Sequence, residues 1–140
     1  MNFFDILTRS LQDTRDRKMR IGILEDNVMI CEMLQATLEL AGHHVSVYTQ
    51  STTFLAAAVP RSVSITPAPF DAFIIDLVLS EQPSGLQVIH YLRMAHVELP
   101  ILIISADSQT HIDAALEELP DIKAFRKPFK ITELLAALQI

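Results

Sequence analysis

Three glycines, one cysteine and no tryptophan stand among these 140 residues, and each shortage removes a class of protein. With so few glycines there is no GxGxxG or Walker-type loop to cradle a phosphate, which disfavours a flavin or nucleotide binder. The single cysteine, Cys31, excludes an internal disulfide framework and suits a reducing compartment. Its place in a helical run predicts a buried thiol. Basic residues are outnumbered, 11 Lys and Arg against 17 Asp and Glu, for a formal net charge of -6. No basic surplus is present to displace counterions from a phosphate backbone, so nucleic acid is not an expected partner. No apolar run approaches the length of a membrane span. The opening stretch, MNFFDILTRSLQDTRDRK, has its apolar cluster ahead of its charges, the reverse of a signal peptide. The expectation is a cytoplasmic protein without a membrane partner.

What is present suits one folded domain. Half the residues are hydrophobic and a fifth are charged, and the length allows one full core but not two. Residues 1–18 are expected to add a short amphipathic helix, with Phe3, Phe4, Ile6, Leu7 and Leu11 near one side, as a packing appendage or dimer contact. From Met19 onward the pattern is regular. MRIGILE, HVSVY, DAFIID, PILIIS and IKAFRK read as short strands, several of them apolar throughout. Between them lie helical spacings. The first runs from Val28 with Gly42 as its C-cap, and the second from Ser51, with Ser51 or Thr52 as its N-cap. Later ones run through LQVIHYLRMAH, from Gln109 to Leu119, and through FKITELLAALQI. PRSVSITPAP, residues 60–69, reads as an extended surface loop. Apolar strands alternating with helices indicate a parallel α/β sheet covered on both faces, a (βα)5 arrangement.

Open parallel sheets present ligand sites at the carboxyl ends of their strands. Polar residues collect there: Glu25 and Asp26 after the first strand, Asp76 after the third, Ser105 after the fourth, Lys127 after the fifth. Three neighbouring carboxylates repel one another unless a cation joins them, and such hard oxygen ligands suit Mg²⁺ better than Zn²⁺. A carboxylate beside that ion can attack phosphorus, giving an acyl phosphate on Asp76. Lys127 is placed to clamp a phosphoryl oxygen or the carboxylate itself, and Ser105 to donate a hydrogen bond. Ala106 leaves room beside the reacting group. Any one of these residues alone has an ordinary alternative as a cap, a turn or a surface charge. The five histidines, 43, 44, 90, 96 and 111, form no tight ligand pattern with Cys31 or with one another, so zinc is not expected.

ILEDN at 23–27, FIIDLVL at 73–79, SGLQVI at 84–89, PILIISA at 100–106 and FRKPF at 125–129 together resemble the receiver domain of two-component response regulators. The resemblance covers residues 19–140. It implies a flavodoxin-like fold with strand order 2-1-3-4-5, and a phosphoryl group accepted on Asp76 from a sensor histidine kinase or a histidine phosphotransfer protein. Self-catalysed phosphorylation and slow hydrolysis of the aspartyl phosphate follow from the same likeness. In this family Asp26 matches the direct Mg²⁺ ligand, Glu25 the acid acting through metal-bound water, and Val78 the backbone carbonyl that completes the metal site. Ser105 and Lys127 match the switch hydroxyl and the phosphate-binding lysine, and a cis peptide is implied before Pro128. Output is expected through residues 109–140, onto a downstream target protein, a histidine phosphotransfer domain or a second copy as a homodimer.

The chain also departs from the family. The aromatic switch position three before the lysine is Ala124, and Phe125, by strand alternation, faces the opposite way. Movement of the loop after Ser105 without an aromatic rotor is the resulting expectation. The LVLSEQPSG loop lacks the usual proline four residues beyond the acceptor and is one residue longer. Val78 stands where a haloacid-type phosphatase would carry a second aspartate, which separates the chain from that class. The remaining alternative is a pseudo-receiver that binds a partner without phosphorylation.

Overall fold

The computed structural model describes residues 18–59, 69–119 and 121–138, together with Phe3. The expected N-terminal helix and most of the 60–69 loop lie outside the described residues. Strands and helices alternate: β1 (Arg20–Leu24), α1 (Val28–Leu40), β2 (His44–Tyr48), α2 (Ser51–Ala58), β3 (Ala72–Asp76), α3 (Gly85–Met94), β4 (Ile101–Ser105), α4 (Gln109–Glu117), β5 (Lys123–Arg126) and α5 (Ile131–Leu138). All pairings are parallel, and the sheet order is β2-β1-β3-β4-β5. This is the flavodoxin-like (βα)5 arrangement expected.

The burial follows from composition. AFIID in β3 and ILIIS in β4 are buried at every position, as central strands covered on both faces must be. The edges, HVSVY in β2 and KAFR in β5, alternate with exposed positions. Side-chain alternation divides the core into two halves. Phe73, Ile75 and Ile103 pack with Phe54, Ile89 and Leu92 on the α2–α3–α4 face. Ile74, Leu102 and Ile104 pack with Leu34, Leu38 and Leu134 on the α1–α5 face. Each such fully buried aliphatic side chain contributes about 1.5–3 kcal/mol relative to exposure.

The helix ends are chemically explained. Asn27 caps α1 through Oδ1, which accepts the Ile30 N–H at 3.1 Å. Ser84 and Gln87 form a reciprocal capping box on α3, and Ser108 caps α4. Helix α1 stops in a Schellman turn, with His43 N–H on the Leu38 carbonyl and Gly42 N–H on that of Glu39. Gly42 has φ +97°, which suits its expected role at the C-cap. The expected cap of α2 is corrected: Gln50 is the N-cap residue and no side chain caps it. The Ser51 hydroxyl instead donates to the Pro83 carbonyl at 2.7 Å, a long-range bond that local propensity does not encode.

Candidate functional site

Strand geometry brings the polar residues together at the carboxyl edge of β1, β3, β4 and β5. Glu25 follows β1 directly, and its N–H extends the ladder to the Tyr48 carbonyl. That pairing turns its side chain inward, where it is fully buried. Oε1 of Glu25 accepts the Asn27 N–H at 3.0 Å, and Oε2 accepts from Lys127 Nζ at 2.9 Å. The same ammonium donates to Asp76 Oδ2 at 2.9 Å, so Lys127 bridges two buried carboxylates. Asp76 Oδ1 accepts the Val78 N–H at 3.0 Å. Asp26 is half-buried and accepts the Ser80 N–H at 2.7 Å. Each of Glu25, Asp26 and Asp76 offers an oxygen, and these atoms lie within 4.8 Å of one another.

The charges are unequal. Burial, with the negative charge of Asp76, pushes the Glu25 carboxyl up to about 7 against the opposing pull of Lys127. Burial alone would lower the Lys127 ammonium, but its bonds to Glu25 and Asp76 outweigh that and hold it above the usual range. Burial also pushes Asp26 upward, and the Ser80 hydrogen bonds overcome it and leave its carboxyl below the usual range. Three carboxylates therefore face one ammonium, a donor set of hard oxygens that fits a hard divalent cation. The Cys31 thiol is buried as expected, donating to the Glu25 carbonyl at 3.2 Å, and burial raises its pKa.

Ser105 lies at the end of β4, one residue beyond Ile104, the register partner of Asp76. Its hydroxyl is completely buried and accepts the Asp107 N–H at 3.1 Å. Its carbonyl accepts the Lys127 N–H at 2.7 Å, fixing the start of the lysine's approach to the site. The Lys127–Pro128 peptide is cis, as is Gln82–Pro83. Val78 is exposed through its side chain and contributes its backbone here. Ala124 packs on the α2–α3–α4 face and Phe125 on the α1–α5 face, so the ring does point away from the switch side.

Gly85 is a site residue whose chemistry the strand-end reasoning missed. A Cβ there would lie 1.9 Å from the Asp76 carbonyl oxygen and 2.7 Å from the Leu77 Cα. Helix α3 therefore starts directly against the backbone of Asp76 and Leu77, and Gly85 N–H donates to the Leu77 carbonyl at 3.2 Å. The SGLQ capping signature was the available signal for that start. Two surface clefts, of about 660 and 620 Å³, are lined by none of these site residues.

The comparisons with known proteins agree with this geometry. The family model described as "Response regulator receiver domain" matches residues 21–139. Transcriptional regulatory protein QseB of Haemophilus influenzae is 34% identical over 122 residues, covering 86% of this chain and 51% of the relative. Transcriptional regulatory protein DltR of Streptococcus agalactiae is 30% identical over 122 residues, covering 87% and 51%. The chain thus spans about half the length of these curated relatives. Among solved structures, the non-phosphorylated HemR receiver domain from Leptospira biflexa superposes with a TM-score of 0.69 at 25% identity, covering 86% of this chain and 90% of that one. Chemotaxis protein CheY4 of Vibrio cholerae, at 23% identity, gives 0.71 and coverage of 88% and 98%, a likeness of fold. With the sheet order, the acidic cluster and the bridging lysine in place, the chain belongs to the response regulator receiver domain family.

Proposed function

We propose that Asp76 accepts a phosphoryl group from the phosphohistidine of a sensor histidine kinase or histidine phosphotransfer protein. The observation that carries this reading is the Lys127 ammonium held 2.9 Å from both Asp76 and Glu25 inside a cluster of three carboxylates. An Asp76 oxygen forms the new O–P bond while the N–P bond of the donor breaks. Its electron pair returns to the imidazole nitrogen, which takes up a proton. Lys127, already aimed at Asp76, neutralises charge on the transferred oxygens. The Ser105 hydroxyl donates to one of them.

Asp26, Asp76 and the Val78 carbonyl would hold Mg²⁺ directly and Glu25 through a bound water, and the ion would offset the charge of both reacting partners. Residues 19–140 form the receiver unit in this reading and 1–18 an extension. The α4–β5–α5 surface, within residues 109–140, carries the output to a target protein or to a second copy as a homodimer. No helix among the described residues is long and apolar enough to cross a membrane, in keeping with a cytoplasmic site of action.

Intact mass after incubation with acetyl phosphate or phosphoramidate and Mg²⁺ tests the proposal. The expected result is a gain of one phosphoryl group (~80 Da), lost in Asp76→Asn and lost with EDTA. No gain, under conditions that label a control receiver, would make the chain an interaction module that works without phosphate.

A further inference from the structure

Asp107 has no part in the chemistry above, yet each of its polar groups is engaged. Its N–H donates to the buried Ser105 hydroxyl at 3.1 Å. Its carbonyl accepts from Arg126 Nε at 3.2 Å. Its Oδ1 accepts the Ser108 N–H at 2.8 Å and lies 2.9 Å from His111 Nδ1. Ser108 is the cap of α4, and its hydroxyl accepts the His111 N–H. One residue thereby ties the active-site hydroxyl, strand β5 and the first turn of α4 into a single clasp. Arg126 is the register partner of Ser105 and precedes Lys127 in the chain. Lys127 reaches into the acidic cluster while Arg126 reaches along the outside to the loop.

The site needs such a device because the usual one is missing. Ala124 offers no ring on the switch face of β5, and Phe125 packs on the other face. We propose that Asp107 is the positioning residue that couples the acceptor site to α4, with Arg126 and His111 holding it in the resting position. The inference rests on the phosphoryl-acceptor reading and adds its read-out. A phosphoryl group on Asp76 draws the Ser105 hydroxyl toward its oxygens, which moves the oxygen that the Asp107 N–H bonds. The half-buried Asp107 N–H keeps its bond to the fully buried hydroxyl only if the backbone moves with it, so the backbone at Asp107 follows the hydroxyl. That motion pulls the carbonyl from Arg126 and the carboxylate from the cap of α4. Rigid packing makes this a two-position change rather than a gradual one.

The test is hydrogen exchange of residues 106–117, read by mass spectrometry with and without beryllofluoride and Mg²⁺ as the phosphoryl stand-in. Wild type should exchange there roughly tenfold faster when loaded. Asp107→Ala and Arg126→Ala should already show the faster exchange unloaded and gain little more on loading. Both should keep the acetyl phosphate mass gain on Asp76. His111→Ala, on an exposed surface, should give an intermediate effect and guards against a variant that fails to fold. A fold-only role for Asp107 would lower the melting temperature and leave the loading increment in place. The coupling is overturned if folded variants retain the wild-type increment. If wild type gains no phosphoryl mass and beryllofluoride alters no segment, the acceptor reading falls and takes the coupling with it, an outcome the mass measurement identifies.

Discussion

The two ends of the parallel sheet solve the same problem in opposite ways. At the amino end, the charges that meet are balanced and wet. Arg20 and Asp71 pair through Nε and a terminal nitrogen, both partly exposed, and the same carboxylate accepts the Arg20 N–H. The buried polar group there, His43, is neutral, with Nδ1 accepting the Met19 N–H at 3.1 Å. At the carboxyl end, Glu25 and Asp76 are buried with Asp26 beside them, and one ammonium pairs with the two buried ones alone. Stability alone would not select that second arrangement, since buried ion pairs seldom exceed their desolvation cost. The imbalance suits the proposed role of the cluster, which would hold a hard cation and accept a phosphoryl group.

The largest expected effect is at Gly85, where the carboxyl end leaves no room for a methyl group. Gly85→Ala forces α3 off the Asp76 backbone and should cost on the order of 3 kcal/mol in urea unfolding, with phosphoryl uptake sharply reduced. A near-neutral result would mean that α3 shifts freely, and the close approach would lose its significance. Next is Lys127→Ala, which strips from the cluster its one ammonium among the described residues. A loss of about 2–3 kcal/mol is expected in EDTA, limited because Glu25 can escape by taking a proton. Mg²⁺ should recover part of it by supplying positive charge, and equal stability with and without the ion would count against a metal site.

The two ends should also differ in the sign of their pH dependence in metal-free protein. Glu25 binds its proton more tightly when folded, with a pKa of about 7 against an ordinary 4.5. Its contribution is full below 4.5 and is lost as pH rises toward 7. His43 is the reverse. Burial lowers its pKa from 6.5, so the unfolded chain binds the proton more readily and stability falls as pH drops below 6.5. One proton accounts for at most about 1.4 kcal/mol per pH unit. Glu25→Gln and His43→Gln should tilt the stability profile in EDTA in opposite directions between pH 4.5 and 6.5. Parallel profiles for the two variants would remove the contrast.

Much of this was legible because strand ends are local. LEDN, IID, IIS and FRK each end an apolar run on a polar residue, and a parallel sheet converts those ends into neighbours. The opposed faces of Ala124 and Phe125 followed from alternation alone. What was not legible depends on atoms far apart in the chain. Lys127 pairing with Glu25 joins residues 102 positions apart, and spacing cannot choose between Glu25 and Asp76 as its partner. The local context of Ser51 allows its hydroxyl to cap α2, and the tertiary bond to Pro83 overrides that local preference. Nothing in the sequence around Asp107 distinguishes it from an ordinary acid ahead of a helix. Its role depends on Arg126 across the β4–β5 pair.

The mildest test exchanges one carboxylate for an amide at each end. Asp76→Asn removes one of three crowded charges and keeps a single carbonyl oxygen, which can accept from Lys127 or from Val78 but does not replace both acceptors. In EDTA the repulsion relieved in a poorly hydrated place should outweigh the one lost bond and raise stability by about 1 kcal/mol. Asp71→Asn removes a charge that is already satisfied by Arg20 and should lower stability slightly, the more weakly the higher the salt. Urea midpoints at two salt concentrations separate the cases. Mg²⁺ then supplies the decisive contrast. An ion that binds only the folded protein stabilises it by mass action, so wild type should gain more than Asp76→Asn, narrowing or reversing their order. At Asp71 the ion should change nothing beyond its ionic strength. If Asp76→Asn is destabilising without metal, the cluster is balanced after all, and its surplus charge ceases to argue for a cation.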